Sequence, residues 1–120
     1  MTKLQMIGGG RMGQALLHGM IDAGWAAERE LAVVEVVADQ RERLASAYPS
    51  ATVIDRPLPD VDCVVAVKPQ FVADVCRSLT RPGRVLSIAA GVTIATMESA
   101  LPTGTPVVRA MPNTPALVGA

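Results

Sequence analysis

Aromatic residues are nearly absent from this chain of 120 residues, which has one Trp, one Tyr and one Phe. A core must then be built from Val, Ile, Leu, Ala and Met. Half of the residues are hydrophobic, so a folded core is expected rather than disorder. That palette suits buried parallel strands covered by helices. An excess of one charge is lacking too: Lys plus Arg and Asp plus Glu number 11 each. Nothing therefore draws the chain to nucleic acid or to an anionic membrane, and small-molecule partners are favoured. No apolar run approaches a membrane span, and no basic stretch followed by a signal-type apolar core opens the sequence, so a cytoplasmic location is expected. Cysteine is scarce. Cys63 and Cys76 are too few for a disulfide framework and stand in no metal-ligand spacing, so both read as reduced core thiols and no metal site is expected. His18, the one histidine, has no Cys near it and lies in a helical stretch, where a surface or packing role is expected.

What the chain does have is alternation. Apolar, β-branched stretches predict strands at residues 4–7, 31–36, 52–54, 61–67, 84–88 and 106–109. Between them, residues 11–23 carry apolar side chains at helical spacing and end on Gly24. Asp39 with Glu42 fits a capping box opening a helix to Ala47. Further helices are predicted at residues 71–79 and 93–101, the second with Thr93 as its N-cap. Strands alternating with helices, through connections too long for hairpins, indicate one α/β domain. The expected architecture is a Rossmann-like open parallel sheet with helices on both faces.

The first connection is the most informative. Gly8-Gly9-Gly10-Arg11-Met12-Gly13 has the spacing G-x-G-x-x-G between a predicted strand ending at Ile7 and a predicted helix. In that setting Gly8 permits a tight turn, Gly10 lets the backbone approach a pyrophosphate, and Gly13 lets helix and strand pack closely. The helix that follows turns unpaired N–H groups and a positive dipole end towards the phosphates. The pattern alone is weak, and its place in the first strand-helix unit is what the dinucleotide fingerprint requires. A second element of that fingerprint is an acidic residue at the end of the second strand. Glu35 stands there, 22 residues beyond Gly13. Its carboxylate would accept a ribose hydroxyl and favour NADH, whereas Arg41 and Arg43 are near enough to offer the 2′-phosphate of NADPH a partner.

Unusual short segments recur at the other strand ends: Ala66-Val67-Lys68-Pro69, Ala89-Ala90-Gly91, and the proline-rich stretch at residues 109–115. In a parallel sheet these ends share one edge with the glycine turn, the edge along which ligands bind. Small residues beside rigid proline turns there would make room for a flat ring.

"MIGGGRMGQALLHGM", "VVAVKPQ", "LSIAAGVTI" and "VVRAMPNTPALVGA", in that order, closely resemble the N-terminal domain of the pyrroline-5-carboxylate reductase family, across essentially the whole chain. The resemblance implies a domain that binds NADPH or NADH, with hydride passing to the C=N carbon of 1-pyrroline-5-carboxylate to give L-proline. It implies cofactor contacts at Ile7 through Met12 with Gly13, at Glu35, at Ala66, Val67, Lys68 and Pro69, at Ala89, Ala90 and Gly91, and at Asn113 in the loop of residues 111–115. It further implies that a helical domain following Ala120 makes a homo-oligomer and supplies most of the substrate pocket, so that this chain is the cofactor-holding half. No residue here is a convincing general acid for the imine, and Lys68 reads as a cofactor or structural residue. Arg11 stands where the family often has an uncharged polar residue. Two other readings stay open: a nicotinamide-nucleotide-binding module without catalysis, and another NADP-linked reductase, such as a deazaflavin-linked one, with the same first domain.

Overall fold

The computed structural model describes residues 2–89 and 91–109. Six strands form one sheet: β1 (Leu4–Ile7), β2 (Leu31–Val34), β3 (Thr52–Ile54), β4 (Asp62–Val65), β5 (Val85–Ser87) and β6 (Val107–Arg109). Their order is β3-β2-β1-β4-β5-β6 and every pairing is parallel. Four α-helices connect them: α1 (Arg11–Asp22), α2 (Ala38–Ala47), α3 (Val72–Ser78) and α4 (Ile94–Ala100). The chain leaves β1 towards one edge through β2 and β3, then returns to the other side of β1 through β4, β5 and β6. A reversal of strand order beside the first strand opens a crevice at the carboxyl ends, where Rossmann-like sheets take their ligands.

Alternation along the strands sorts the core into two layers. Leu4, Met6, Leu31, Val33 and Val64 pack with Leu17 of α1 and Leu44 of α2. Ile7, Val34, Cys63, Val65 and Val85 pack on the opposite face with Val72 and Cys76 of α3 and Met97 of α4. Successive strand side chains point to opposite faces, so one apolar run serves both layers, which is why these strands read as near-continuous hydrophobic stretches.

Two buried strand residues are polar, Gln5 in β1 and Ser87 in β5. Gln5 is fully buried in β1, and its side chain behaves like a strand edge: Oε1 accepts the Leu58 N–H at 2.8 Å and Nε2 donates to the Leu58 carbonyl at 2.8 Å. This two-way bridge fastens the long connection before β4 to the centre of the sheet.

The element order matches the sequence reading, while several boundaries differ for physical reasons. β2 stops at Val34 rather than at residue 36, because Val36 and Val37 leave the sheet and face solvent. The expected capping box at Asp39 and Glu42 does not form: α2 opens at Ala38 behind Val37, which has no capping side chain. β4 and β5 are shorter than expected by one or two residues at each end; after β4, Ala66 and Val67 leave the ladder to line the crevice. The other helix signals are realised as read. Gly24 adopts φ +73° and, with Trp25, closes α1 by donating to the Ile21 and Met20 carbonyls, a Schellman end. Thr93 caps α4, its Oγ1 accepting the Thr96 N–H at 3.1 Å. Cys63 and Cys76 are buried free thiols, and His18 lies on the surface beside Asp22. No helix among the described residues is long and apolar enough to cross a membrane.

Candidate functional site

Strand register brings the site together. Ile7 sits opposite both Val34 and Val65, so the next residues, Gly8, Glu35 and Ala66, emerge from the sheet side by side. Backbone bonds continue the ladder one step: Gly8 N–H donates to Val34, Ala66 N–H to Ile7 and Glu35 N–H to Ile54.

The glycine turn that follows has almost no space for side chains on its protein side. Gly8 has φ +106°, and a Cβ there would lie 2.8 Å from the Ala66 carbonyl oxygen. A Cβ on Gly9 would strike the Leu44 side chain, and one on Gly13 would strike the Gly8 carbonyl oxygen. Gly10 differs: nothing lies within 4 Å of where its Cβ would be, and its backbone is extended. Protein packing therefore accounts for three of these glycines, whereas Gly10 borders open space at the mouth of α1. The first-turn N–H groups of α1 have no intrahelical acceptor, and no side chain caps them.

Side chains hold this turn from two directions. Glu35 Oε1 accepts the Gly9 N–H at 2.9 Å, and its Oε2 accepts the Val37 N–H at 3.0 Å. The Gly9 carbonyl accepts from Gln14 Nε2 and from Gln40 Nε2, each at 2.8 Å. Arg41 Nη1 donates to the carbonyls of Glu35 and Val36.

In front of the turn lies a cleft of about 700 Å³. Ile7, Gly8, Gly9 and Gly10 form its base; Glu35, Val36 and Val37 form one wall, and Ala66, Val67 and Lys68 the other. Phe71 and Val75 extend the second wall from the turn Pro69–Phe71 and from α3. Three of the six large hydrophobic side chains exposed among the described residues, Val36, Val37 and Phe71, line this one cleft. Apolar surface gathered in a concavity beside convergent polar groups is the usual form of a small-molecule site.

The structure thus unites Ile7, Gly8, Gly9, Gly10, Glu35, Ala66, Val67 and Lys68. Arg11 and Met12 begin α1 at the mouth of the turn, Gly13 is buried behind it, and Pro69 opens the short turn after Lys68. Ala89 is buried in the core layer of α3 and α4, and Gly91 follows with φ +76°. Ala90 and Asn113 lie outside the described residues. Arg41 and Arg43 do not line the cleft; Arg41 is turned onto backbone carbonyls instead. Sequence reasoning missed Val36, Val37, Phe71, Val75, Gln14 and Gln40. Val36 and Val37 looked like more strand, and two glutamines on helices carry no signal of their own. No group of three or more His, Cys, Asp or Glu arranged for a metal is found among the described residues.

The sequence profile of the family described as "NADP oxidoreductase coenzyme F420-dependent" matches residues 3–91. A pyrroline-5-carboxylate reductase of Mycobacterium leprae is 43% identical over all of this chain and 44% of its own length. That of Pasteurella multocida is 38% identical over 93% of this chain and 44% of its own. Among solved structures, a pyrroline-5-carboxylate reductase from Coxiella burnetii superposes with a TM-score of 0.82 at 28% identity, over 99% of this chain and 47% of that one. The Plasmodium falciparum pyrroline carboxylate reductase with NADP bound gives a TM-score of 0.66 at 27% identity, over 98% of this chain and 45% of that one. The chain spans a little under half the length of the curated relatives it matches. On its profile match, the chain belongs to the NADP oxidoreductase, coenzyme F420-dependent, family, and it is similar to the N-terminal part of pyrroline-5-carboxylate reductases.

Proposed function

We propose that this chain holds NADPH or NADH for the reduction of 1-pyrroline-5-carboxylate to L-proline, as the cofactor-holding half of the reductase. The observation that carries the cofactor assignment is Gly10: alone in its fingerprint it meets no protein atom, and it opens onto the cleft base beside the uncapped start of α1. The substrate assignment draws on the likeness to reductases of that name.

The cofactor would supply the hydride, and the residues of this chain would bind and orient it. Gly10, Arg11 and Met12 would hold the pyrophosphate, since backbone N–H groups and the helix dipole there favour anions. Both oxygens of Glu35 are held by backbone N–H groups, and each keeps a lone pair for an adenosine ribose hydroxyl. Val36, Val37 and Phe71, which line the cleft, would offer the adenine ring apolar surface. The segments Ala66 to Pro69 and Ala89 to Gly91, with Asn113, serve the nicotinamide end. A proton donor to the imine and a clamp for the substrate carboxylate come from outside these 120 residues, from a helical domain that also makes the homo-oligomer. A small-molecule substrate and a cytoplasmic setting complete the proposal.

Fluorescence titration with each reduced nucleotide tests it. Saturable binding is expected, with no nucleotide oxidation when 1-pyrroline-5-carboxylate is added to the isolated chain. Failure to bind either nucleotide would remove the cofactor assignment, and turnover by the chain alone would remove the external proton donor. The breadth of the family description favours a second reading, another NADP-linked reductase. In that case a longer protein containing this chain would use a deazaflavin and leave the pyrroline untouched.

A further inference from the structure

We infer that Gln14 and Gln40 are positioning residues that set the direction of the Gly9–Gly10 peptide and so aim the Gly10 N–H at the cofactor pyrophosphate. The inference rests on the cofactor reading above and adds to it the device that keeps the site ready to receive an anion.

A peptide unit between two glycines is the easiest kind to flip, because neither neighbour has a Cβ to restrict the dihedrals on either side. Flipped one way, this unit presents an N–H to the cleft. Flipped the other way, it presents a carbonyl oxygen, which repels a phosphate. No peptide bond among the described residues is cis, and in a trans peptide the C=O and N–H point in opposite directions. Whatever fixes the Gly9 carbonyl therefore fixes the Gly10 N–H the other way.

Two carboxamides fix it. Gln14 reaches back from the first turns of α1 and Gln40 reaches across from the first turn of α2, each with Nε2 2.8 Å from the Gly9 oxygen. A carbonyl oxygen has two lone pairs, and both are taken. One donor would satisfy the oxygen; two donors on separate elements also define its direction. The assignment of the amides is forced, since a carbonyl oxygen only accepts and each glutamine must turn its NH₂ towards it. On the other side of Gly9, Glu35 Oε1 holds the N–H of the preceding peptide at 2.9 Å. Arg41, the neighbour of Gln40, grips the carbonyls of Glu35 and Val36. The start of α2 thereby holds the pyrophosphate turn and the adenosine wall of the cleft together.

The test uses the chain with Gln14→Met, Gln40→Met and the double substitution, which keep length and bulk but remove the donors. NADH and NADPH affinities are measured, with adenosine as a probe that lacks phosphate. The amide signal of Gly10 is followed by NMR in the nucleotide-free protein. The expected result is a loss of about 5- to 10-fold in affinity for each dinucleotide per single substitution and more in the double, on the scale of one net hydrogen bond. Adenosine binding is expected to stay within about 2-fold by the same scale, and the single sharp Gly10 signal is expected to broaden or split. A role in general packing would instead weaken adenosine in parallel. Dinucleotide affinities unchanged in the double variant, or an unaltered Gly10 signal, would overturn the inference. Absence of dinucleotide binding by the unsubstituted chain would overturn the cofactor reading itself, and the Gly10 signal of the free protein separates the two failures.

Discussion

Glu35 and Gly9, 26 residues apart, are joined by a 2.9 Å hydrogen bond from the Gly9 N–H to Oε1, while Oε2 holds the Val37 N–H. The carboxylate is thus locked at the mouth of β2, in the cleft wall. Arg41 is committed to backbone carbonyls, so it does not answer that charge within the cleft.

The first prediction concerns nucleotide choice. Glu35→Gln keeps an acceptor for the Gly9 N–H and removes the negative charge that opposes a 2′-phosphate. NADPH affinity is expected to rise relative to NADH by about 5-fold, the scale of one partly screened like-charge contact. Glu35→Ala, which also frees Gly9, should weaken both nucleotides. Parallel titrations with the two nucleotides give the ratio, and a ratio unchanged in Glu35→Gln would show that the carboxylate does not face the ribose.

The second separates binding from stability within one glycine motif. Gly10→Ala adds a methyl where no protein atom lies within 4 Å and where the backbone suits any residue. Stability should change by less than about 1 kcal/mol, the ordinary cost of losing a glycine N-cap, while dinucleotide affinity falls at least about 10-fold as the methyl meets the pyrophosphate. Gly13→Ala drives a methyl into the Gly8 carbonyl and should destabilise by about 1–3 kcal/mol, as overpacking does. Thermal melts beside nucleotide titrations distinguish the two, and equal melting losses would contradict the geometry.

The order of elements was legible because it rests on local signals: periodic apolar positions, Gly24 after α1, Thr93 before α4, and glycines at the one turn that needs them. Strand ends were less so. In "LAVVEVV" nothing local distinguishes the four residues that pair in β2 from the two valines that leave it. What ends the strand is tertiary: Glu35 turns to hold Gly9, and Arg41 takes the two carbonyls that a longer strand would have offered to a neighbour. The glycine half of the site could be read because its residue types are restricted by sterics. Its glutamine half could not, because a carboxamide is chosen there by partners 5 and 31 residues away, and no spacing rule encodes them.

The third prediction follows acid. Asp62, at the start of β4, accepts from both the Arg84 backbone N–H at 2.7 Å and its guanidinium. These bonds hold its pKa below the usual value of 3.8, the side-chain bond contributing most. A carboxyl with a folded pKa below its unfolded one stabilises the fold above the unfolded value and loses that contribution as pH falls through the folded one. Asp62→Asn should therefore melt a few degrees below the parent at pH 7, and the gap should close below about pH 4. Melting curves across that range decide it, and a gap that persisted in acid would mean the pair acts through packing rather than charge.

The fourth concerns the thiols. Burial pushes the pKa of Cys63 up from 9.0 to about 11, against a smaller opposing effect from the Gln5 amide, which donates to its sulfur at 3.1 Å. Burial raises that of Cys76 as well. The thiolate is the reactive form, and at pH 8 only about one Cys63 thiol in a thousand is ionised, behind a closed core. A disulfide reagent should label neither cysteine of the folded chain on the timescale that labels both in denaturant. The same shift has an alkaline signature. A thiol whose folded pKa exceeds its unfolded value stabilises the fold below pH 9 and loses that contribution as pH climbs towards 11, because the unfolded chain gives up its proton first. Cys63→Ala should be less stable than the parent at neutral pH, through the cavity it leaves, and should lose less stability between pH 9 and pH 11. Rapid labelling of either thiol in the native chain would mean that the layer formed by α3 and α4 opens far more readily than its packing implies.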